Sequence, residues 1–237
     1  MEPSRSRSSA GPGYDIGERL VDRHSAGQDR PLLFELLGLP WDLLPGVFAP
    51  VHTASTELFT QWVPYPMGGR FLEVGCGAGV TAVTAALRGC QRVTALDIAP
   101  AAVRNTVLNA ARHGVGDRVH ALQSDLFDVL DPRTRFDVVF WNSNVVLAPD
   151  DFRYSSDVQH AIFDRGYQTH HRYLSQGPAR LTDGGRLLLG FNTLGDREQL
   201  ENLAAKAGLQ ITELNHATRQ AGDTPVTFQL LDLTSTV

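Results

Sequence analysis

Short apolar runs and amphipathic stretches alternate along the chain from residue 70 to its end. Seven runs have the length and residue types of strands: FLEVGC, QRVTALD, RVHALQ, FDVVFW, RLLLGF, LQITEL and TFQLLDL. Between them lie segments with helical spacing, one of which is predicted to begin at Asp196 with Gln199 completing a capping box. This alternation indicates βαβ units with right-handed crossovers. We expect an α/β fold with a doubly wound, mostly parallel sheet covered by helices on both faces.

The N-terminal part of the chain has a different pattern. Residues 1–29 are rich in Ser, Arg, Gly and Asp and contain few large apolar residues, so we expect a flexible arm. Residues 30–66 pack leucines and aromatics between prolines 40, 45 and 50, which predicts short helices broken by turns. We interpret this segment as a helical cap or lid over the substrate, and residues 67–237 as the main domain.

Composition narrows the setting and the partners. No segment of the 237 residues approaches the apolar length that crosses a bilayer, and no apolar stretch follows the N-terminal arginines, which favours a cytoplasmic protein. Cys76 and Cys90 are too few for a disulfide framework or a zinc site, and no metal is predicted. The net charge of −5 argues against nucleic acid as a partner. The oligomeric state is left open.

A glycine-rich turn follows the first predicted strand in the sequence EVGCGAG, residues 73–79. Three glycines in five residues exceed the needs of a tight turn and allow close approach of a ligand. A dinucleotide site requires Gly or Ala at the sixth position of its motif, counted with the first glycine as position one, where this chain has Val80. Glu73 would repel a pyrophosphate but attract a cationic amino group or sulfonium. The turn therefore favours a cationic nucleoside over a dinucleotide.

Aspartates end the next two strands. Asp97 follows the second strand, where its carboxylate can accept both hydroxyls of a ribose. Asp125 follows the third strand, where it can accept a hydrogen bond from an adenine amino group while Leu126 lies against the ring. A helix cap or loop cap is the alternative interpretation for each aspartate. Because ligands bind beyond the carboxyl ends of parallel strands, both positions fit a nucleoside site.

Five motifs in order, LEVGCGAG, ALD, SDLF, FDVVFWN and LTDGGRLLL, resemble those of class I S-adenosylmethionine-dependent methyltransferases over residues 70–235. The resemblance implies a seven-stranded sheet with an antiparallel last strand, and S-adenosylmethionine as the methyl donor. The residues expected at the cofactor are Glu73, Gly75, Cys76, Gly77, Gly79, Asp97, Ile98, Asp125, Leu126 and Asn142.

The fourth motif resembles the region ending in Asn-Pro-Pro-Tyr in HemK-type methyltransferases, where the Asn holds a planar nitrogen. Asn142 carries over, whereas Ser143, Asn144 and Val145 replace the other three residues. The resemblance thus implies Asn142 as the catalytic residue that positions the acceptor, and the replacements favour N-methylation of a small-molecule amine, amide or guanidine. A HemK-type protein glutamine methyltransferase, a non-catalytic S-adenosylmethionine-binding module, and oxygen or carbon acceptors are the alternatives.

Candidate substrate contacts lie in the cap, after Asn142 and in the insertion that follows it. They are Phe48, Glu57, Asn144, Tyr154 and His170. His170 and His171 are adjacent, and adjacent residues of a helix face different directions, so a two-histidine metal site is disfavoured.

Overall fold

The computed structural model describes residues 12–25 and 32–236. The helices are α1 (Pro12–Ser25), α2 (Ser55–Trp62), α3 (Val80–Leu87), α4 (Pro100–Arg112), α5 (Asp157–His160), α6 (Gln168–Gln176) and α7 (Arg197–Lys206). The strands are β1 (Leu33–Leu36), β2 (Leu39–Asp42), β3 (Arg70–Val74), β4 (Arg92–Asp97), β5 (Val119–Gln123), β6 (Phe136–Asn142), β7 (Val146–Ala148), β8 (Phe163–Arg165), β9 (Leu181–Asn192), β10 (Leu209–Ala221) and β11 (Thr224–Ser235).

Seven of these strands form one sheet in the order β10-β11-β9-β6-β3-β4-β5. Neighbouring strands from β5 to β9 are parallel, whereas β11 is antiparallel to both β9 and β10. The first strand of the α/β part, β3, lies between β4 and β6, so the winding direction reverses there. The predicted doubly wound, seven-stranded sheet with an antiparallel last strand is confirmed.

The sheet separates two hydrophobic cores. Alternate residues of β6 enter different cores: Val138 and Phe140 pack on the side of α2, α3 and α4, while Val139 and Trp141 pack on the side of α6 and α7. Burial on both faces explains why the parallel strands are continuous apolar runs in the sequence. The N-cap at Asp196 is confirmed, because its side chain accepts from the backbone N–H of Gln199 at 2.9 Å. The reciprocal half of the capping box is not formed, because the backbone N–H of Asp196 donates to the Tyr167 hydroxyl at 2.8 Å.

The cap differs from the prediction of short helices. Residues 33–42 form the antiparallel hairpin β1–β2, and only α2 and a 3-10 turn at residues 50–52 are helical. The hairpin turn is Leu37-Gly38, and both residues have positive φ, 56° and 72°. Two successive left-handed residues match the twist of a two-residue hairpin. Leucine at the first of these positions is uncommon, which is why the sequence does not signal the turn.

Helix α4 holds the hairpin through buried amides. The Asn105 side chain accepts from Leu44 N at 2.7 Å and donates to Asp42 O at 2.8 Å. Asn109 accepts from Asp42 N at 2.8 Å and donates to Ala78 O at 2.8 Å. Asn105 and Asn109 are thus fully buried on the inward face of α4, whereas Val107 is 53% exposed.

The flexible arm predicted for residues 1–29 is wrong over Pro12–Ser25, which form α1. Ile16 and His24 of this helix are buried. A Cβ on Gly17 would lie within 2.8 Å of the Phe163 ring, so the glycine permits close packing of α1 on β8. The remainder of the predicted arm lies outside the described residues.

The insertion after β6 contains a small parallel pair, β7–β8, with α5 between its strands and α6 after it. Helix α5 begins at Asp157 and has only four residues, and the longer α6 leads to β9. No helix among residues 12–25 and 32–236 is long and apolar enough to span a membrane.

Candidate active site

A cavity of about 540 Å³ opens beyond the carboxyl ends of β3, β4 and β6, where the winding direction of the sheet reverses. Such a volume is typical of small-molecule sites. We call the part lined by residues 73–78, 97–99 and 124–126 the cofactor end. The part lined by residues 16, 20, 46–48, 50–56, 192, 194, 219–221, 226 and 228 is the acceptor end. Asn142 also lines the cavity.

The glycine-rich turn bends sharply between β3 and α3. Gly75 and Gly77 have φ of 66° and 52°, a region that favours glycine. An added Cβ on Gly77 would meet no protein atom within 4 Å, although the residue lines the cavity. The backbone N–H of Cys76 donates to Leu96 O at 3.0 Å, which ties the turn to β4. The loop thus leaves open space next to exposed backbone, as a cradle for a ligand requires.

Glu73 supplies a buried carboxyl group at the base of this turn. Only 3% of the residue is exposed, and its Oε2 has no hydrogen-bond partner among the described residues. Burial raises the pKa of Glu73 to about 8, against the lowering effect of hydrogen bonds from the Thr81 hydroxyl and the Ala82 N–H. An unpartnered buried carboxyl that lines a cavity is suited to a cationic ligand group.

Asp97 is fixed at the end of β4 by two backbone donors. Its Oδ2 accepts from Gly77 N at 2.9 Å and its Oδ1 accepts from Ala99 N at 2.9 Å. Burial raises the pKa of Asp97, and the two backbone hydrogen bonds counteract that shift. Each carboxylate oxygen retains a lone pair for a ligand hydroxyl. Ile98 follows, 40% exposed and lining the cavity.

Asp125 and Leu126 line the same end of the cavity after β5. Leu126 is buried and has a positive φ of 51°. Asp125 is exposed, and its Oδ2 accepts from Arg172 Nη1 at 2.7 Å. Arg172 also bonds Asp128, so α6 orients this carboxylate through an arginine bridge. No sequence motif marks this bridge.

Asn142 ends β6 next to the cofactor end. Its side chain makes no hydrogen bond to any part of the chain that the structure describes, whereas its neighbours are engaged. Ser143 donates to Gly190 O at 2.8 Å, and the Asn144 amide donates to Phe163 O at 2.7 Å. Asn144 lines the cavity and is 6% exposed, with an Oδ1 that has no partner within the described residues. The whole Asn142 amide is therefore available to a ligand, whereas Asn144 offers only its Oδ1.

Four predicted site residues lie elsewhere. Gly79 does not line the cavity; a Cβ there would lie 2.8 Å from Thr106 Cα, so this glycine serves helix packing. Glu57 is exposed on α2 and outside the cavity lining. Tyr154 is also outside the cavity lining, and its hydroxyl donates to Phe163 O at 3.2 Å.

The fourth, His170, is fully buried and cannot contact a substrate in this conformation. Its Nδ1 is 2.7 Å from Asp164 Oδ2, which also accepts from the backbone N–H of His170. The ring packs against Trp141 with centroids 4.7 Å apart. His170 therefore supports the strand that carries Asn142. Of the predicted substrate contacts, Phe48 and Asn144 do line the cavity.

Sequence reasoning missed cavity residues that come from distant segments. Ile16 and Leu20 reach the cavity from α1, and Arg219, Val226 and Phe228 reach it from β10 and β11. No local motif marks these positions, and only the alternation along the last two strands is visible in the sequence.

Comparisons with known proteins agree with this geometry. A family model described as a methyltransferase domain matches residues 71–161. The chain is 31% identical over 217 residues to the release factor glutamine methyltransferase of Bordetella pertussis, covering 84% of this chain and 77% of the relative. It belongs to that family of S-adenosylmethionine-dependent methyltransferases.

Matches that cover less of the chain, or that share the fold at lower identity, are named for other methyl acceptors. The methyltransferase is 40% identical over 81 residues to the ribosomal protein L11 methyltransferase of Pelotomaculum thermopropionicum, covering 34% of this chain and 26% of that relative. The fold is shared with the 16S rRNA N2 G1207 methyltransferase of T. thermophilus in complex with AdoMet and guanosine, at a TM-score of 0.58 and 21% identity. That match covers 87% of this chain and 50% of the other.

The residues of the cofactor end fit S-adenosylmethionine. The unpartnered Oε2 of Glu73 provides a counter-charge for a cationic amino group, and the open space at Gly77 admits the ligand without displacing protein atoms. Asp97 and Asp125, at the carboxyl ends of β4 and β5, offer carboxylate oxygens as hydrogen-bond acceptors to the cofactor. S-Adenosylmethionine is the cofactor of this methyltransferase.

Proposed function

We propose that the methyltransferase N-methylates a small molecule, an amine, amide or guanidine whose nitrogen lies at Asn142. The observation that carries the proposal is the Asn142 side chain, which lines the cavity and makes no hydrogen bond within the described chain. Its amide oxygen can accept one N–H of the acceptor and so orient the nitrogen lone pair toward the cofactor end.

The bound cofactor supplies an electrophilic methyl group on a sulfonium. The nitrogen lone pair would form the new N–C bond as the C–S bond breaks, with the bonding electrons left on sulfur. Glu73 and Asp97 would hold the donor at the cofactor end, and Asn142 would hold the acceptor beside it. The acceptor nitrogen then releases a proton to water or to a neighbouring base. Because charge disperses during this step, positioning contributes more than acid catalysis.

Two segments that border the cavity favour a small molecule as the methyl acceptor over a loop of a protein substrate. Helix α1 borders the cavity through Ile16 and Leu20, and the β10–β11 hairpin borders it through Arg219 and Val226. The replacement of the Pro-Pro-Tyr residues by Ser143, Asn144 and Val145 also removes the aromatic ring that would stack on a side-chain amide.

The second candidate is methylation of a protein glutamine, which the Bordetella pertussis relative favours by its name and its 31% identity. That relative supports nitrogen as the acceptor atom in either case. The two candidates differ in the size of the acceptor and are therefore separable by fractionation.

The test is transfer of a labelled methyl group from S-adenosylmethionine to a cell extract divided into a low-mass fraction and a protein fraction. We expect label in the low-mass fraction, on nitrogen by mass spectrometry and stable to mild base. Label confined to a protein glutamine would support the second candidate, and base-labile label would indicate an ester and overturn both. The Asn142→Ala variant is the control for transfer that depends on the site.

A further inference from the structure

A path of paired residues leads across the sheet from Asn142 to its outer strand. Asn142 on β6 lies opposite Gly190 on β9, and Gly190 lies opposite Leu230 on β11. Val226, four residues earlier on β11, lies opposite Arg219 on β10. Because β11 is antiparallel to β9, its earlier residues lie further toward the carboxyl ends of the parallel strands, where the cavity opens.

Asn142 and Arg219 project from the same face of this sheet. Phe140 packs in the core on the α2 side, so Asn142, two residues later, points to that side. Phe228 belongs to the same core, and Ala217, its partner on β10, packs against it. Arg219 follows Ala217 by two residues and therefore faces the same side. Both side chains border one continuous cavity.

The two ends of the cavity carry opposite charges. Its carboxylates, at positions 73, 97, 125 and 157, belong to the cofactor end or adjoin it, since the charge of Asp157 acts on Asp97. Arg219 is the single arginine or lysine among the described residues that line the cavity. Its guanidinium bonds Thr218 O at 3.0 Å and forms no ion pair with a carboxylate of residues 12–25 or 32–236. A fixed positive charge at the acceptor end selects for an anion.

Strand geometry sets the distance between the two groups. Four residues along β11 correspond to about 13 Å, and the three strand spacings from β6 to β10 to about 14 Å. After subtraction of the reach of both side chains, roughly 10–15 Å separates the Asn142 amide from the Arg219 guanidinium. An α-amino acid is too short to span this gap, whereas an elongated acceptor can contact both residues.

We propose that Arg219 is a specificity residue that binds a carboxylate of an elongated acceptor whose methylated nitrogen lies at Asn142. This inference rests on the proposed nitrogen transfer and adds the second recognition point. A guanidinium suits this role because it can hold a carboxylate through two parallel hydrogen bonds.

The experiment measures binding to the protein saturated with S-adenosylhomocysteine, by calorimetry. The probes are the monoamides of succinic, suberic and sebacic acids, together with octanamide, which matches the suberic probe but ends in a methyl group. We expect the suberic or sebacic monoamide to bind about tenfold more tightly than octanamide and than the succinic monoamide. Arg219→Gln should abolish the preference, and Arg219→Lys should keep part of it.

Arg92→Gln is the matched control. Arg92 is exposed at the amino end of β4, whereas the cavity lies beyond the carboxyl end of that strand. It should leave all four affinities unchanged. Equal binding of carboxylate and methyl-ended probes, no binding of any probe, or an unchanged preference in Arg219→Gln would overturn the role of Arg219. Since no transfer is measured, these outcomes are independent of the labelling test of N-methylation.

Discussion

The cofactor end and the acceptor end of the cavity are built from the chain in different ways. The cofactor end uses residues at or just after the carboxyl ends of three consecutive parallel strands, such as Glu73, Asp97 and Asp125. The acceptor end combines α1, the cap and the β10–β11 hairpin, which lie up to 212 residues apart in the sequence, from Ile16 to Phe228. The first end is therefore specified by local motifs, and the second by the tertiary packing of segments that carry no motif.

The largest expected effect lies between the two ends, at Asn142. Asn142→Ala removes the amide that orients the acceptor, so turnover should fall about 100- to 1000-fold, as for the loss of a positioning group. The dissociation constant of S-adenosylhomocysteine should change less than about threefold, since the other cofactor contacts are intact. Steady-state rates and calorimetry measure the two quantities. Asn215→Ala, on an exposed part of β10, is the control. A parallel loss of turnover and cofactor affinity would count against a positioning role.

The second-largest expected effect is a loss of cofactor affinity at the cofactor end. Glu73→Gln keeps the shape of the side chain but removes the counter-charge of the cofactor amino group, so affinity for S-adenosylmethionine should fall about 10- to 100-fold. Turnover at saturating cofactor should change little. Calorimetric titration provides the affinities, and Glu57→Gln, exposed and outside the cavity, is the matched control. An unchanged affinity in Glu73→Gln would show that the amino group binds elsewhere.

Substitutions at two glycines of the same turn should affect different properties, stability in one case and ligand binding in the other. Gly79→Ala places a Cβ within 2.8 Å of the Thr106 backbone at a φ of 82°, so it should lower the free energy of unfolding by about 2–4 kcal/mol. Gly77→Ala meets no protein atom and should cost about 1 kcal/mol from its left-handed backbone. Its Cβ would occupy cofactor space, so affinity should fall while the fold persists. Chemical denaturation and calorimetry distinguish the variants; equal destabilisation would refute this division.

The smallest effect concerns the acceptor end and its support by α4. Asn105→Ala breaks buried hydrogen bonds to Leu44 and Asp42, and should cost about 1–3 kcal/mol of stability. Arg112→Ala removes only the partly exposed ion pair with Asp42 and should shift the unfolding midpoint less. Denaturation curves for both variants provide the comparison. A larger loss in Arg112→Ala would mean that the amides do not anchor the hairpin.

The sequence was sufficient to predict the sheet and most of the cofactor end, for a physical reason. Burial on both faces makes parallel strands apolar, and the residues after each strand must meet at one edge of the sheet. Glu73, Gly75 and Asp97 were therefore placed without knowledge of distant contacts. Gly79 was the exception, because a glycine needed for packing against Thr106 has the same local signature as one needed for a ligand.

The acceptor end could not be predicted in the same way. Leu37 adopts a left-handed conformation that its side chain does not signal, and the packing of Gly17 of α1 on Phe163 joins segments that lie far apart in the sequence. His170 illustrates the opposite error. A histidine in a polar insertion suggested a substrate contact, yet its partner Asp164 and its burial under Trp141 depend on tertiary structure.

The charge of Glu73 provides the most direct test of the cofactor end. Because burial raises its pKa from 4.5 to about 8, the ligand-free protein holds a proton there at pH 6.5. A cofactor amino group, with a pKa near that of an ordinary α-amine at about 8, is protonated at this pH and requires an ionised partner. Binding must then expel the proton from Glu73.

The measurement is calorimetric titration of S-adenosylmethionine at pH 6.5 in two buffers that differ in ionisation enthalpy. Release of close to one proton per cofactor by the wild-type protein, with none released by Glu73→Gln, is the predicted result. The absence of proton release from the wild-type protein, or equal release from both proteins, would contradict the assignment of Glu73 as the counter-charge.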